Sequence, residues 1–253
     1  MKALLLFLLF NCSIVVFAQS DLPYKVGEYS KFTISFGPIE VGYADLEIVE
    51  MTQIGNKNTF HIVGKGKTAP FFDWFFKVRD IYETYIDTSN FLPVKFIREI
   101  HEGGYHLKQK YDFFHNDSVV QTHDSVFNIP PNAQDMLSAL FYARTFNKSD
   151  LELTHSFFVP IFMDNENYFL EIMYLHNELL DTKWGKVDCM VFKPKMQEGR
   201  IFEDGEQMNI WITDDYNHLL MKVETKIWAG IIKAVLTDYK SLKNPLSIIQ
   251  LVK

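Results

Sequence analysis

The chain has little with which to crosslink itself or bind a metal: two cysteines in 253 residues, Cys12 and Cys189, of which Cys12 lies in an apolar leader. Once that leader is removed, Cys189 stands alone, no internal disulfide is available, and stability has to come from a buried core. The sequence also lacks a G-x-S-x-G element, an H-x-H or H-E-x-x-H pair, and any Cys/His ligand pattern among its eight histidines. Those absences argue against serine-hydrolase and metallopeptidase chemistry. GKGKT, Gly64 to Thr68, lacks the spacing of a phosphate loop, and no dinucleotide fingerprint is present, so no cofactor is expected. No Lys/Arg block occurs and the net charge is −7, becoming −8 when Lys2 leaves with the leader. Nucleic acid and an anionic membrane surface are therefore poor partners on composition.

What the chain does have is apolar and aromatic mass. Apolar residues make up 47% and aromatic residues 15%, including 23 Phe, ample for a large core. The opening MKALLLFLLFNCSIVVFA, with one Lys, an apolar run and small residues at Val16 and Ala18, reads as a secretory leader cleaved before Gln19. Its apolar block is shorter than the ~20 residues a spanning helix needs, so no transmembrane helix is expected in the mature chain. Cys12 is a weak lipidation site, because Asn11 before it is not small and the apolar run continues to Phe17. The expected product is a periplasmic or outer-envelope protein of a Gram-negative bacterium, with residues 19–253 forming a single mainly-β domain.

Alternation of apolar and polar residues predicts strands over Tyr29 to Phe36, Gly42 to Met51 and Thr59 to Lys67, with turns at Gly37-Pro38 and Gly55-Asn56-Lys57-Asn58. Hairpin breaks recur at Thr88-Ser89-Asn90, Gly103-Gly104 and Asn116-Asp117, and strand character resumes after residue 154, with glycines at 185, 199, 205 and 230 near its ends. FLEIMYLHNELL also fits a helix, but its Glu171-Ile172-Met173-Tyr174 centre alternates and favours a strand. TYIDTSNFLPVKFIRE (Thr84 to Glu99) and IWITDDYNHLLMKVET (Ile210 to Thr225) share one hairpin pattern with a slip of one residue. One segment differs: PPNAQDMLSALFYARTFN places Leu137, Leu140, Phe141 and Arg144 at helical spacing and predicts a helix over about 133–146, capped by Asn132. The expected fold is a strongly curved antiparallel sheet, barrel or half-barrel, with this helix packed on its concave side or across its mouth.

Cys189, flanked by Val, Asp, Met and Val, reads as a buried small hydrophobe. The clusters Asp164-Asn165-Glu166, Glu203-Asp204-Gly205-Glu206 and Asp214-Asp215 fall where strands break and read first as turns, although paired carboxylates also serve glycosidases and calcium sites. Gln134, Asp135, Ser138 and Arg144 suit an exposed helix face, unless the sheet encloses the helix and makes them buried partners. The run APFFDWFFKVRD packs five rings into Phe71 to Phe76. Helical spacing groups Phe71, Trp74 and Phe75 with Phe72 and Phe76 beside them and leaves Asp73 outward, which predicts a short inward-facing plug acting as a core lid or ligand gate.

The segment PPNAQDMLSALFYART, with Gln134-Asp135 and Arg144, resembles the central signature of a bacterial exported family, domain of unknown function 3108. Val26-Gly27-Glu28-Tyr29, Gly42-Tyr43-Ala44, Phe76-Lys77-Val78-Arg79-Asp80, Leu92-Pro93 and Trp211-Ile212-Thr213-Asp214-Asp215 resemble that family in the same order. The resemblance spans about Val26 to Tyr239 and implies an exported, mainly β protein with no established activity. The repeated Asp-turn hairpins are also similar to those of lipoprotein-carrier open barrels, although Leu219-Leu220 replaces Leu-Pro in the second copy.

The leading expectation is thus a monomeric, non-enzymatic envelope protein that holds a lipid, acyl chain or other apolar small molecule. The residues expected at the ligand are Phe71, Phe72, Trp74, Phe75, Phe76, Leu137, Phe141 and Trp211, with Gln134, Asp135, Arg144 and Asp214 as polar motif residues. The alternatives are a structural or interaction module with a self-filled core, and a hydrolase using Asp214 and Asp215.

Overall fold

The computed structural model describes residues 22–146, 148–196 and 207–249. The leader with Cys12, Gly199 and the cluster from Glu203 to Glu206 lie outside the described residues. Eight strands come first: β1 Tyr29–Phe36, β2 Ile39–Ile54, β3 Lys57–Thr68, β4 Arg79–Asp87, β5 Pro93–Glu102, β6 Tyr105–Phe114, β7 Val119–Gln121 and β8 Val126–Asn128. Two short helices follow, α1 Met136–Ala143 and α2 Lys148–Thr154. The chain then returns to strands: β9 Ser156–Met163, β10 Glu166–Thr182, β11 Gly185–Met196, β12 Gln207–Thr213, β13 Leu220–Ile227 and β14 Gly230–Lys240.

All fourteen strands form one antiparallel sheet in the order β8-β7-β6-β5-β4-β3-β2-β1-β14-β13-β12-β11-β10-β9. Each half of the chain is a meander, and the halves join where β1 pairs with β14, Tyr29 opposite Lys240 and Phe36 opposite Ile232. Register shifts at Lys31/Phe32, Ile34/Ser35 and Ile48/Glu50 put extra residues into the central strands, which bends and twists them. The end strands β8 and β9 do not pair with each other. The link from β8 to α1 lies along β9 instead: Gln134 N–H donates to the Pro160 carbonyl at 2.8 Å, and Phe162 N–H to the Gln134 carbonyl at 2.9 Å. The fold is therefore an open, barrel-like sheet whose gap is bridged at this point by the segment leading into the helix.

Local chemistry explains the turns. In the β4–β5 hairpin, Asp87 Oδ1 accepts from the N–H and Oγ of Ser89, and Asp87 N–H donates to the Leu92 carbonyl at 2.9 Å. In the β12–β13 hairpin, Asp215 Oδ1 accepts from Thr213 Oγ1 and Asn217 N–H, and Thr213 N–H donates to the Leu219 carbonyl at 2.9 Å. The two loops share one design, the second being a residue longer, as the sequence slip anticipated. FLEIMYLHNELL is strand throughout, inside β10.

The helix is shorter than its expected 133–146. Asp135 caps it in place of Asn132: its carboxylate accepts from Leu137 and Ser138 N–H, while Ser138 Oγ accepts from Asp135 N–H, a complete capping box. Asn132 has a φ of 60°, in the left-handed region, and sits in a turn of the lead-in. The seven-residue α2 was not foreseen from sequence and buries only Leu151.

Candidate functional site

Helix α1 touches β4 on one side and β9 on the other, although these strands are fifth and last in the sheet order. Only a sheet curled around the helix brings both within reach. Leu137 and Phe141 join Ile48, Ile62, Phe96 and Tyr111 in the core of the first half. Gly64 allows this close approach, since a Cβ there would lie 3.2 Å from Leu46 Cδ2 and 3.7 Å from Leu137 Cδ1. The other face of the helix, Met136, Ala139, Leu140 and Ala143, follows the i, i+3, i+4, i+7 stripe of an amphipathic helix. It faces Phe157, Ile161, Leu170, Ile172, Phe192, Ile210 and Ile212 across a cavity of about 180 Å³. The small alanine side chains leave this space, and every lining residue is apolar.

Both ends of α1 are held by buried polar groups. At the N-terminus, Thr84 Oγ1 donates to Asp135 Oδ2 at 2.6 Å, and burial pushes the Asp135 carboxyl up to about 6 against the opposing pull of its hydrogen bonds. At the C-terminus, the Arg144 guanidinium donates to both carboxylate oxygens of Glu28, at 2.6 and 3.2 Å, and twice to the Asn217 carbonyl, at 3.2 and 2.9 Å. It lies 5.1 Å from the centre of the Tyr24 ring and 5.3 Å from that of Phe141, within cation–π range of both. Burial raises the Tyr24 hydroxyl above its ordinary range, and Tyr24 Oη and Gln134 Oε1 are the buried side-chain polar atoms without a hydrogen-bond partner among the described residues. The Glu28–Arg144 pair joins the segment before β1 to the end of α1 and clamps the helix in place.

Beyond this clamp a polar cleft of about 680 Å³ is lined by Arg144, Lys148, Asp214, Asp215 and His218, among others. Asp214 is engaged by Lys148 and by Asn177 Nδ2, and Asp215 by Thr213, Asn217 N–H and Ser247 N–H. Both carboxylates thus serve the turn and the chain segments packed on it. Cys189 is fully buried, and burial pushes its thiol up to about 12.

The eight apolar residues expected to share one ligand site occupy three separate places. Leu137 and Phe141 belong to one core cluster. Trp211 belongs to another, with Phe32, Val191 and Leu236. The third place is the β3–β4 connection, and there the expectation of inward-facing rings is overturned. Residues 70–75 form turns in which Phe71, Trp74, Phe75 and Phe76 are exposed and Phe72 is half-buried. Asp73, expected outward, turns back instead: Arg79 Nη1 donates to it at 3.0 Å and Thr68 Oγ1 at 2.6 Å, and the Arg79 guanidinium foremost holds its carboxyl down at about 2. The polar residue anchors the loop and the rings project away from the sheet. None of the residues expected at a ligand lines the cavity, although the alternation of Ile210 with Ile212 and the small residues in the 136, 139, 140, 143 stripe carried its signal.

No helix among the described residues is long and apolar enough to cross a membrane. The fold is shared with a β-barrel-like protein of domain of unknown function DUF1849 from Brucella abortus, at a TM-score of 0.55 and 8% identity over 87% of this chain and 100% of that one. Weaker likenesses are to a protein described as exported, with a YmcC-like fold, from Bacteroides fragilis and to a protein described as a lipoprotein from Parabacteroides distasonis. The first has a TM-score of 0.35 and 10% identity over 87% of this chain and 98% of its own. The second has a TM-score of 0.32 and 11% identity over 88% and 99%. No curated protein matches the chain. The model of the family "Protein of unknown function (DUF3108)" matches residues 31–237, most of the sequence, and the chain belongs to that family.

Proposed function

We propose that this is an exported envelope protein that holds a single apolar chain, such as a lipid acyl chain, between α1 and strands β9 to β12. The observation carrying the reading is the cavity of about 180 Å³ with its wholly apolar lining. Its size lies between the ~150 Å³ hydrocarbon-lined cavities that accept benzene-sized guests and the roughly 300–1,000 Å³ pockets of drug-sized ligands. It therefore suits a slender chain segment better than a bulky ring system. With no polar group in the lining to hold a headgroup, the polar end of the ligand stays outside, and the partly exposed Met136 marks where the lining reaches solvent. Export is supported by the leader-like first eighteen residues.

Titration of delipidated protein with a fluorescent fatty-acyl probe tests this. Saturable uptake by the wild type, lost in Ala143→Phe while its unfolding midpoint is kept, supports the reading. Absence of saturable uptake by the wild type, or undiminished uptake by Ala143→Phe, opposes it.

A further inference from the structure

The cavity leaves the outward rings of the β3–β4 loop unexplained, and these rings have neighbours of the same kind. In the sheet order, the connections β5–β6, β3–β4, β1–β2 and β13–β14 are consecutive hairpin tips at one end of the sheet. Backbone hydrogen bonds tie them together: Gly103 N–H donates to the Lys77 carbonyl at 2.8 Å, Ala69 to Val41 at 2.9 Å and Gly37 to Ile231 at 3.0 Å. Each of the four presents exposed apolar side chains, in turn Tyr105, the Phe71–Trp74–Phe75 group, Ile39 and Trp228. Trp74 is 82% and Trp228 94% exposed, far beyond what a folded chain leaves to a tryptophan without a use for it. Among the described residues, tips at the other end are built from Gly55-Asn56, Thr88-Ser89-Asn90 and His115-Asn116-Asp117, with Tyr216 and the partly exposed Phe114 as their exposed rings.

The geometry points to a lipid bilayer surface as the partner: we propose that this aromatic rim seats the protein in the boundary between headgroups and acyl chains. The rings stand on separate hairpin tips rather than on one element, which suits a deformable surface. Phe and Trp fit that boundary, where one side is apolar and the other wet. Charge agrees locally although the whole chain is acidic. Lys65, Lys67, Lys77 and Lys226 are exposed near the same tips, matched to phosphate headgroups. Among the described residues, the acidic groups on or beside these four tips are Asp73, which Arg79 pairs, Glu40, which accepts from Tyr43, the half-buried Glu102, the buried Asp80, which accepts from His101 N–H, and Glu224, which Lys222 and Lys233 pair. The Asp73–Arg79–Thr68 anchor holds the ring-bearing loop in place, so little ordering is left for the moment of contact.

Co-sedimentation with vesicles of phosphatidylethanolamine and phosphatidylglycerol, read together with the tryptophan emission, tests the proposal independently of the cavity. The wild type pellets with vesicles and its emission shifts to the blue. Phe71→Ser, Trp74→Ser and Phe75→Ser combined lower partitioning by at least roughly tenfold. Tyr216→Ser, at the opposite end, and the cavity variant Ala143→Phe both bind vesicles like the wild type. A wild type that stays in the supernatant, a triple variant that pellets undiminished, or an equal loss in Tyr216→Ser overturns the proposal.

Discussion

Replacing Arg144 with Met tests the claim that the Glu28–Arg144 pair clamps the helix. The guanidinium is 4% exposed, carries four hydrogen bonds to Glu28 and the Asn217 carbonyl, and lies beside a touching pair of aromatic rings. Met keeps much of the packing but strands the Glu28 carboxylate, itself 3% exposed, without a counter-charge. Breaking one side of such a buried pair costs about 3–5 kcal/mol, whereas an exposed pair contributes about 1 kcal/mol at most. Urea unfolding followed by tryptophan fluorescence should therefore show Arg144→Met less stable by about 3–5 kcal/mol. Glu28→Leu combined with Arg144→Met should recover a large part of that loss, giving a coupling of at least ~2 kcal/mol in a double-mutant cycle. A loss below about 1 kcal/mol, or strict additivity, would refute the clamp.

The raised carboxyl of Asp135, at about 6, makes stability depend on pH in a stated direction. The folded state holds its proton more tightly than the unfolded chain. The group's favourable contribution is therefore complete below its ordinary value near 4 and is lost as pH rises through about 6. Asp135→Asn retains an oxygen to cap the helix but cannot ionise, so wild-type stability relative to this variant should fall between pH 4 and 6; a pH-independent difference would contradict this. Cys189, fully buried with its thiol raised to about 12, should resist iodoacetamide in the folded protein and react once unfolded, and rapid native labelling would contradict its placement. Trp74→Ala should leave stability within about 0.5 kcal/mol, because the ring is exposed; a loss of about 3 kcal/mol would restore the core-lid reading.

Strands and their turns were legible because period-two alternation and Asp or Asn turn chemistry act over a few residues. The Asp87 and Asp215 turns show this best, each satisfied by groups within its own hairpin. The aromatic run was misread because its orientation depends on Asp73, which looks like a solvent-facing spacer until Thr68 and Arg79 supply its partners. With Asp73 drawn toward the sheet, the rings are carried outward, where no second layer covers them. The Glu28–Arg144 pair spans 116 residues and has no local trace beyond two short motifs. The cavity was harder still, since it arises from what Ala139 and Ala143 leave unfilled where the helix meets β9 to β12. The small residues of the stripe hint at such a vacancy, but only the packing of the strands against the helix shows that it stays unfilled.

The most direct test of the central claim is methyl NMR of isoleucine-labelled protein during titration with a medium-chain fatty acid. Saturating shifts concentrated on Ile161, Ile172, Ile210 and Ile212, which line the cavity, are the predicted result. Shifts confined to exposed isoleucines such as Ile231 and Ile232, with the cavity methyls unmoved, would contradict it.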